Sequence, residues 1–222
     1  MAKIRIGTSC WNYDSWRGRF FPRELMRKHP LRYDATQFDT IELDGVFYRT
    51  PSVASVRAWR EQIADDFVFA WKASKFITHW KRLAPTSRSS IALMERRLRV
   101  LGDKAGPVLF QLPPHLQADD ERLAAFLRLL KAPCLYVFEF RHESWYVKNI
   151  FRLLRAHNAT LCLSDHHDAP APWVVTARHV YVRGHGPGGR YHGHYSAPML
   201  REWARKIRAW HRHASRRLCL FR

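Results

Sequence analysis

The sequence predicts an α/β fold in which parallel strands and helices alternate around a closed barrel, as a single domain over residues 1–222. Three observations predict it. Eight short apolar runs recur: Lys3–Ile6, Thr40–Leu43, Phe67–Trp71, Val108–Phe110, Leu135–Phe140, Thr160–Leu163, His179–Val182 and Leu218–Phe221. Helix-like segments lie between most of them, and strands alternating with helices build a parallel sheet. Polar residues that apolar packing does not explain stand at the ends of seven runs, and eight such units gather their strand ends at one mouth. The fold is therefore a TIM-type (β/α)8-like barrel. At 222 residues it falls slightly short of the roughly 250 usual for that fold.

Each element has its own local signal. Lys3–Ile6 alternates polar and apolar and runs into Gly7-Thr-Ser-Cys-Trp-Asn-Tyr13, a loop rich in hydrogen-bonding groups. Pro22 to Phe38 carries helix formers interrupted at Pro30. Thr40–Leu43 is short and β-branched, and Ser52 is an N-cap for a helix facing inward through Val53, Val56, Trp59 and Ile63. After Phe67–Trp71, residues Lys72 to Leu83 read as a long basic loop, and Ser89 to Leu101 as an amphipathic helix. Val108–Phe110 exits through Gln111-Leu-Pro-Pro-His115, a rigid loop, and Asp119 or Asp120 caps the next helix. Leu135–Phe140 leads to Arg141-His-Glu-Ser-Trp145 and a helix from Val147 to His157. After Thr160–Leu163, Asp165-His-His-Asp-Ala-Pro-Ala-Pro172 replaces most of a helix, so the sixth crossover is irregular. His179–Val182 ends in the glycine-rich stretch Gly184–Gly189, Met199 to Trp210 is the seventh helix, and nothing follows Leu218–Phe221 but Arg222.

Composition bounds the function. A hydrophobic fraction of 46% fits a folded globule. No apolar run approaches the ~20 residues that span a bilayer, and the N-terminus enters a strand without a signal-peptide core, so a cytoplasmic protein without membrane contact is expected. Cys10, Cys134, Cys162 and Cys219 form no CxxC pair and read as free thiols rather than disulfides or metal ligands. The net charge of +19 favours polyanionic partners, either nucleic acid or an anionic small molecule. Arg far outnumbers Lys, so the same charge also fits an Arg-rich genome.

Several motifs then stand in one order: Gly7-Thr-Ser-Cys-Trp, Trp16-Arg-Gly with Phe21-Pro22, Ile41-Glu42 with Phe47-Tyr48, Lys72-Ala-Ser-Lys-Phe-Ile-Thr-His79, Gly106-Pro-Val-Leu-Phe-Gln-Leu-Pro-Pro114, Glu139-Phe-Arg-His-Glu-Ser-Trp145 and Tyr181-Val-Arg-Gly-His-Gly186. Together they closely resemble the YecE-like family, domain of unknown function 72, over nearly the whole chain. The resemblance implies a TIM-type barrel. The family's activity is not established; a suggested relation to barrels of the endonuclease IV type implies phosphodiester chemistry. Relatives continue past the last strand with an Asn-Asp pair and a final helix, whereas this chain stops at Arg222, so a truncated last β/α unit is expected. Relatives also carry one acidic residue among small ones after the sixth strand, where this chain has Ser164-Asp165-His166-His167-Asp168.

Period-two alternation sorts the candidate site. Thr40, Glu42 and Asp44 share a face, as do Val68, Ala70 and Lys72, then Val137, Glu139 and Arg141, then Tyr181, Arg183 and His185. If these faces look inward, the charges must pair or bind something, Glu139 with Arg141 or Lys72 being the obvious internal pairing. An anion pocket would use Lys72, Arg141 and Arg183 as clamps, Glu139 or Glu42 as general base, His185 or His142 as proton partner, and Asp165 beside them. The alternative is a satisfied plug of salt bridges. Glu42, Glu139, Asp165 and His185 are also the ligand types of a divalent metal, although the three cations would repel it. Ser9, Gln111, Trp11, Tyr48, His79 and Trp145 complete the substrate-binding set, the aromatics either stacking on bases or sugars or capping the barrel. His79 either contacts an anion with Lys81 and Arg82 or packs its loop. His166-His167, His192-Gly-His194 and His211-Arg-His213 read as surface residues, because adjacent side chains diverge on most backbones. There is no P-loop, GxGxxG or GxSxG motif.

Three functions fit these residues. The first is a hydrolase of anionic, phosphorylated substrates, with phosphodiester cleavage, as in nucleic acid, the leading case. The second is a non-catalytic nucleic-acid binder. The third is a sugar-phosphate isomerase or lyase using Lys72 and Glu139.

Overall fold

The computed structural model describes residues 3–11, 13, 16–24, 30–188, 192–209 and 216–221, with only the backbone of 3, 30 and 216–221. His211, His213, Trp210 and the Cys219 side chain lie outside the described residues. In chain order the elements are β1 (Lys3–Ser9), α1 (Pro30–Gln37), β2 (Thr40–Leu43), α2 (Val53–Glu61), β3 (Val68–Lys72), α3 (Arg88–Leu101), β4 (Ala105–Gln111), α4 (Asp120–Leu127), β5 (Tyr136–Glu139), α5 (Lys148–Ala156), β6 (Thr160–Ser164), β7 (His179–Gly184), α6 (Ala197–Ala209) and β8 (Arg216–Phe221). Every strand pairs parallel with its sequence neighbour, and β8 pairs with both β7 and β1 to close the ring. No α-helix lies between β6 and β7.

Local chemistry sets the ends. Ser52 Oγ accepts from Ser55 N at 3.0 Å at the start of α2, and Asp119 Oδ1 accepts from Arg122 N at 2.9 Å before α4. α1 is described from Pro30 to Gln37, and part of the expected stretch from Pro22 lies outside the described residues. Gly102 ends α3 with φ +61°, a conformation that a Cβ disfavours. At Gly7 a Cβ would stand 2.0 Å from the Thr40 carbonyl oxygen, so glycine alone lets β1 approach β2 this closely. The basic stretch after β3 is not all loop: Phe76–Trp80 forms one π-helical turn.

Strand parity divides the core. Outward residues such as Phe69, Trp71, Phe110 and Phe138 pack against the helices, whereas Ala70, Leu109, Val137, Cys162 and Tyr181 form a separate apolar cluster inside the ring. On the outer face Phe110 stacks on Phe138 at 5.2 Å, and Phe140 stacks on Trp145 at 4.6 Å and 4°. Trp145 is fully buried and its Nε1 donates to the Leu116 carbonyl at 2.6 Å, so it belongs to the core and not to a substrate surface. Among the described residues, no helix is long and apolar enough to cross a membrane.

Asp34, buried on α1, has neither carboxylate oxygen hydrogen-bonded. Burial pushes its pKa from 3.8 up to about 7. The folded state thus favours the protonated form; that contribution is complete below 3.8 and lost as pH rises through about 7. Asp34→Asn keeps the shape without the charge. Calorimetry should find the variant more stable than the parent at about pH 8, each kcal/mol being worth roughly 2–4 °C of Tm. The gain should vanish by about pH 4; a gain independent of pH would assign it to something other than the carboxyl.

Candidate functional site

The charged residues sit one inward step beyond the apolar lumen cluster, because period two carries Ala70 to Lys72, Val137 to Glu139 and Tyr181 to Arg183. Register aligns Ser9 with Glu42, Gln111 with Glu139 and Ser164 with Arg183. Glu42 and Glu139 are fully buried, and one guanidinium joins them. Arg183 Nη2 donates to Glu42 Oε1 at 2.8 Å and Nη1 to Glu139 Oε2 at 2.6 Å. The remaining lone pairs are also taken. Glu42 accepts from Ser9 Oγ at 2.9 Å and from Tyr181 OH at 2.7 Å, and Glu139 Oε1 accepts from Arg141 Nη2 at 2.6 Å and from Ser164 Oγ at 3.3 Å.

These contacts set the electrostatics. Burial works to raise the Glu139 pKa, but the charges of Arg141 and Arg183 hold it well below the usual carboxylate range. Burial works against charge on Arg183 too, and Glu139 and Glu42 more than reverse it. Burial and then the Glu42 charge raise Tyr181 well above the ordinary phenol. Glu139 and Arg183 are therefore ionised and Tyr181 is neutral.

The outer layer is built on loops just past the strands. Arg141 Nη2 lies 2.9 Å from His185 Nε2, with Arg183 Nη1 at 3.3 Å. A guanidinium only donates, so Nε2 accepts and the ring proton sits on Nδ1. Nδ1 faces Ser164 Oγ at 3.3 Å and Asp165 Oδ1 at 3.4 Å. Asp165 also accepts from the His185 backbone N–H at 2.6 Å and from the Tyr195 hydroxyl. Burial raises the Asp165 pKa, but the bonds from His185 and Tyr195 bring it below its usual value. Arg141 Nε is buried and makes no hydrogen bond.

Other expected site residues stand elsewhere. Lys72 pairs with Asp44 at 2.6 Å and lies 4.6 Å over the Phe47 ring, so it does not take Glu139 as its partner. His79 packs edge-on to Phe47 at 5.1 Å, and Nδ1 meets Thr78 Oγ1 at 2.9 Å. Burial, then Lys75, Lys72 and Arg141, lower its pKa to about 4, so at neutral pH it offers an anion no charge. His142 Nδ1 accepts from Ser144 N at 3.2 Å and caps the turn Glu143–Trp145, a local role. Trp11 packs edge-on to Trp59 at 5.9 Å beside α2, and Tyr48 is 74% exposed on the rim. Gln111, at the end of β4, is half-buried.

The four expected metal ligands do not surround one point. His185 presents Nε2 to Glu139, at 3.3 Å, and Nδ1 to Asp165, at 3.4 Å, so the two carboxylates lie at opposite ring nitrogens. Arg183 fills the gap between Glu42 and Glu139 that a cation would need. His166, His167 and Asp168, expected to diverge, instead bring their ligand atoms within 4.8 Å of one another. Tyr181, Ser164 and Tyr195 were missed as site residues. Parity placed Tyr181 beside Arg183, but a buried tyrosine reads as core; Tyr195 lies in a loop with no local signal.

Comparison with known proteins places the chain. A model of the family described as protein of unknown function DUF72 matches residues 5–222. UPF0759 protein YunF of Bacillus subtilis (strain 168) is 27% identical over 154 residues, which are 64% of this chain and 52% of that protein. UPF0759 protein YecE of Escherichia coli (strain K12) is 27% identical over 146 residues, 65% of this chain and 51% of that protein. The chain thus spans about half the length of the curated relatives it matches. A DUF72 family protein (TM1631) from Thermotoga maritima MSB8 superimposes with a TM-score of 0.88 at 23% identity, covering 98% of this chain and 91% of the other. One from Enterococcus faecalis V583 (EF0366) gives 0.82 at 19%, covering 99% and 88%. At these identities the likeness is one of fold, an α/β arrangement of parallel strands of the TIM-like kind. With the family match running over nearly its whole length, this chain belongs to the DUF72 family.

Proposed function

We propose that the chain folds as one domain, a (β/α)8-type barrel, and hydrolyses a phosphodiester in an anionic substrate at the C-terminal mouth. The observation that carries this reading is His185, whose Nε2 lone pair is turned toward Arg141 while Nδ1 is turned toward Asp165. Arg141 has a buried, unengaged Nε and supplies the donor for a phosphate oxygen. Turned toward phosphate, it removes the shorter of the two contacts on Nε2 and leaves only the longer one, from Arg183 Nη1 at 3.3 Å. His185 Nε2 takes a proton from the attacking water as the new P–O bond forms; the old P–O bond breaks on the opposite side, where the leaving oxygen takes its proton from solvent. Asp165 keeps the ring in the required tautomer. Glu139 is too weak a base for the proton transfer and serves with Glu42 as a fixed anion that positions Arg183. Lys72, engaged by Asp44, fits anion handling better than the Schiff-base chemistry of a lyase.

Steady-state kinetics on bis-p-nitrophenyl phosphate test the reading. His185→Gln should lower kcat roughly 100-fold or more with KM within a few-fold; absence of turnover by the parent protein ends the hydrolase assignment. The two arginines should separate. Arg183→Gln strands the buried Glu42 and leaves Glu139 with Arg141 alone, and should cost about 3–5 kcal/mol in urea unfolding. Arg141→Gln leaves Glu139 paired with Arg183; it should cost less stability and instead weaken binding of inorganic phosphate.

One observation favours nucleic acid as the partner. Tyr48 and Trp80, 74% and 68% exposed, line a cavity of ≈ 460 Å³ with Lys75 and share its wall with Phe47, the ring under Lys72. Exposed aromatics beside basic residues suit base stacking. Trp80→Ala should weaken binding of a single-stranded ten-mer at least about fivefold in fluorescence anisotropy, while an abasic ten-mer of equal charge is unaffected. Equal losses on both would show that Trp80 reads no base.

A further inference from the structure

We propose that His166, His167 and Asp168 form a binding site for a first-row divalent ion of the zinc class at the rim of the mouth. The three residues lie in one tight turn, in which Ala169 N donates to the His166 carbonyl at 3.2 Å. The turn is why neighbouring side chains converge here rather than splay. It is anchored to the barrel because His166 N donates to Ser164 Oγ, at the end of β6, at 3.2 Å. The His166 ring is fixed edge-on to His185 at 5.4 Å and lies 4.7 Å from the His167 ring.

The donor atoms suit an ion. A tetrahedral ion with bonds of about 2.0–2.2 Å holds its ligand atoms roughly 3.3–3.6 Å apart. His167 Nε2 lies 3.0 Å from Asp168 Oδ1, and His166 Nδ1 lies 4.0 Å from Asp168 Oδ2. The two distances run to different Asp168 oxygens, and one donor atom from each residue lies within 4.8 Å of the others, so rotation of the exposed His167 and Asp168 side chains is what closes the set to that spacing. His166 Nδ1 is shielded from water and has no hydrogen-bond partner, a state that coordination would relieve. Two imidazoles and one carboxylate favour zinc-class ions over magnesium, which demands oxygen ligands and octahedral geometry. Three protein ligands leave a fourth position open to solvent. The site stands on this geometry alone, and binding is read without turnover.

Titration of the purified chain with Co²⁺ tests it by the visible absorption of tetrahedral cobalt, followed by displacement with Zn²⁺. One equivalent should bind to the parent protein, and Mg²⁺ should not compete. His167→Ala and Asp168→Ala, both at exposed or half-exposed positions where folding does not depend on them, should each weaken binding at least tenfold. His166→Gln should do the same. Cobalt binding of parental affinity in His167→Ala and Asp168→Ala would place the ion at other histidines and overturn the site, as would no binding by the parent protein at micromolar Co²⁺.

Discussion

One guanidinium allows this barrel to carry charge in its lumen. Glu42 on β2 and Glu139 on β5 are fully buried, and Arg183 on β7 reaches both with its two terminal nitrogens. Without it Glu139 would keep Arg141 alone, and Glu42 would be an uncompensated buried charge, among the costlier defects a fold can hold. A lysine in its place would bring a point charge where a planar fork is required. The bridge ties three non-adjacent strands, and Ser9 on β1, Tyr181 on β7 and Ser164 on β6 take the remaining lone pairs. It also opposes register slip. A shift of one residue would turn Leu43, Phe138 or Val182 into the lumen and a charge into the helix layer.

This network does not follow from stability. Replacing a buried ion pair by well-packed apolar residues is often neutral or stabilising, and the lumen just below shows that option in use, with Ala70, Leu109, Val137 and Cys162 packed together. The same strands turn from apolar to polar or charged within two residues, toward the mouth. Such a switch is expected where charge has a role beyond holding strands together.

The parts legible in the sequence are those with a local cause. Period two places Glu42, Lys72, Glu139 and Arg183 inward without reference to any other strand, and Ser52 and Asp119 announce their helices by their own side chains. What could not be read is partner choice. Whether Lys72 meets Asp44 or Glu139 depends on how the strands stagger around the ring, which no local pattern records. Trp145 was misplaced because it follows the charged segment directly, whereas the turn at Glu143–Trp145 swings it back onto Phe140. The histidine pair lies at the surface as the sequence suggests, but its rings do not splay apart: side chains of adjacent residues diverge on extended backbone but not around the tight turn at 166–169.

The structure separates a rigid layer from an adjustable one, and their positions follow from the chain. Ser9, Glu42, Glu139, Ser164 and Arg183 are strand residues, each held in register against at least one neighbouring strand. Arg141, Asp165 and His185 lie one or two residues past the ends of β5, β6 and β7, where the ladder no longer fixes them. Arg183 has both terminal nitrogens engaged and a buried carboxylate on each; moving it would strand Glu42. Moving Arg141 strands none, because Glu139 keeps Arg183. A ligand arriving at the mouth therefore meets a cation that is charged, buried and yet released at modest cost, directly over an imidazole whose lone pair it was covering. That difference between two arginines on one glutamate, set only by how far each stands along its strand, is what makes the cluster a site rather than a plug.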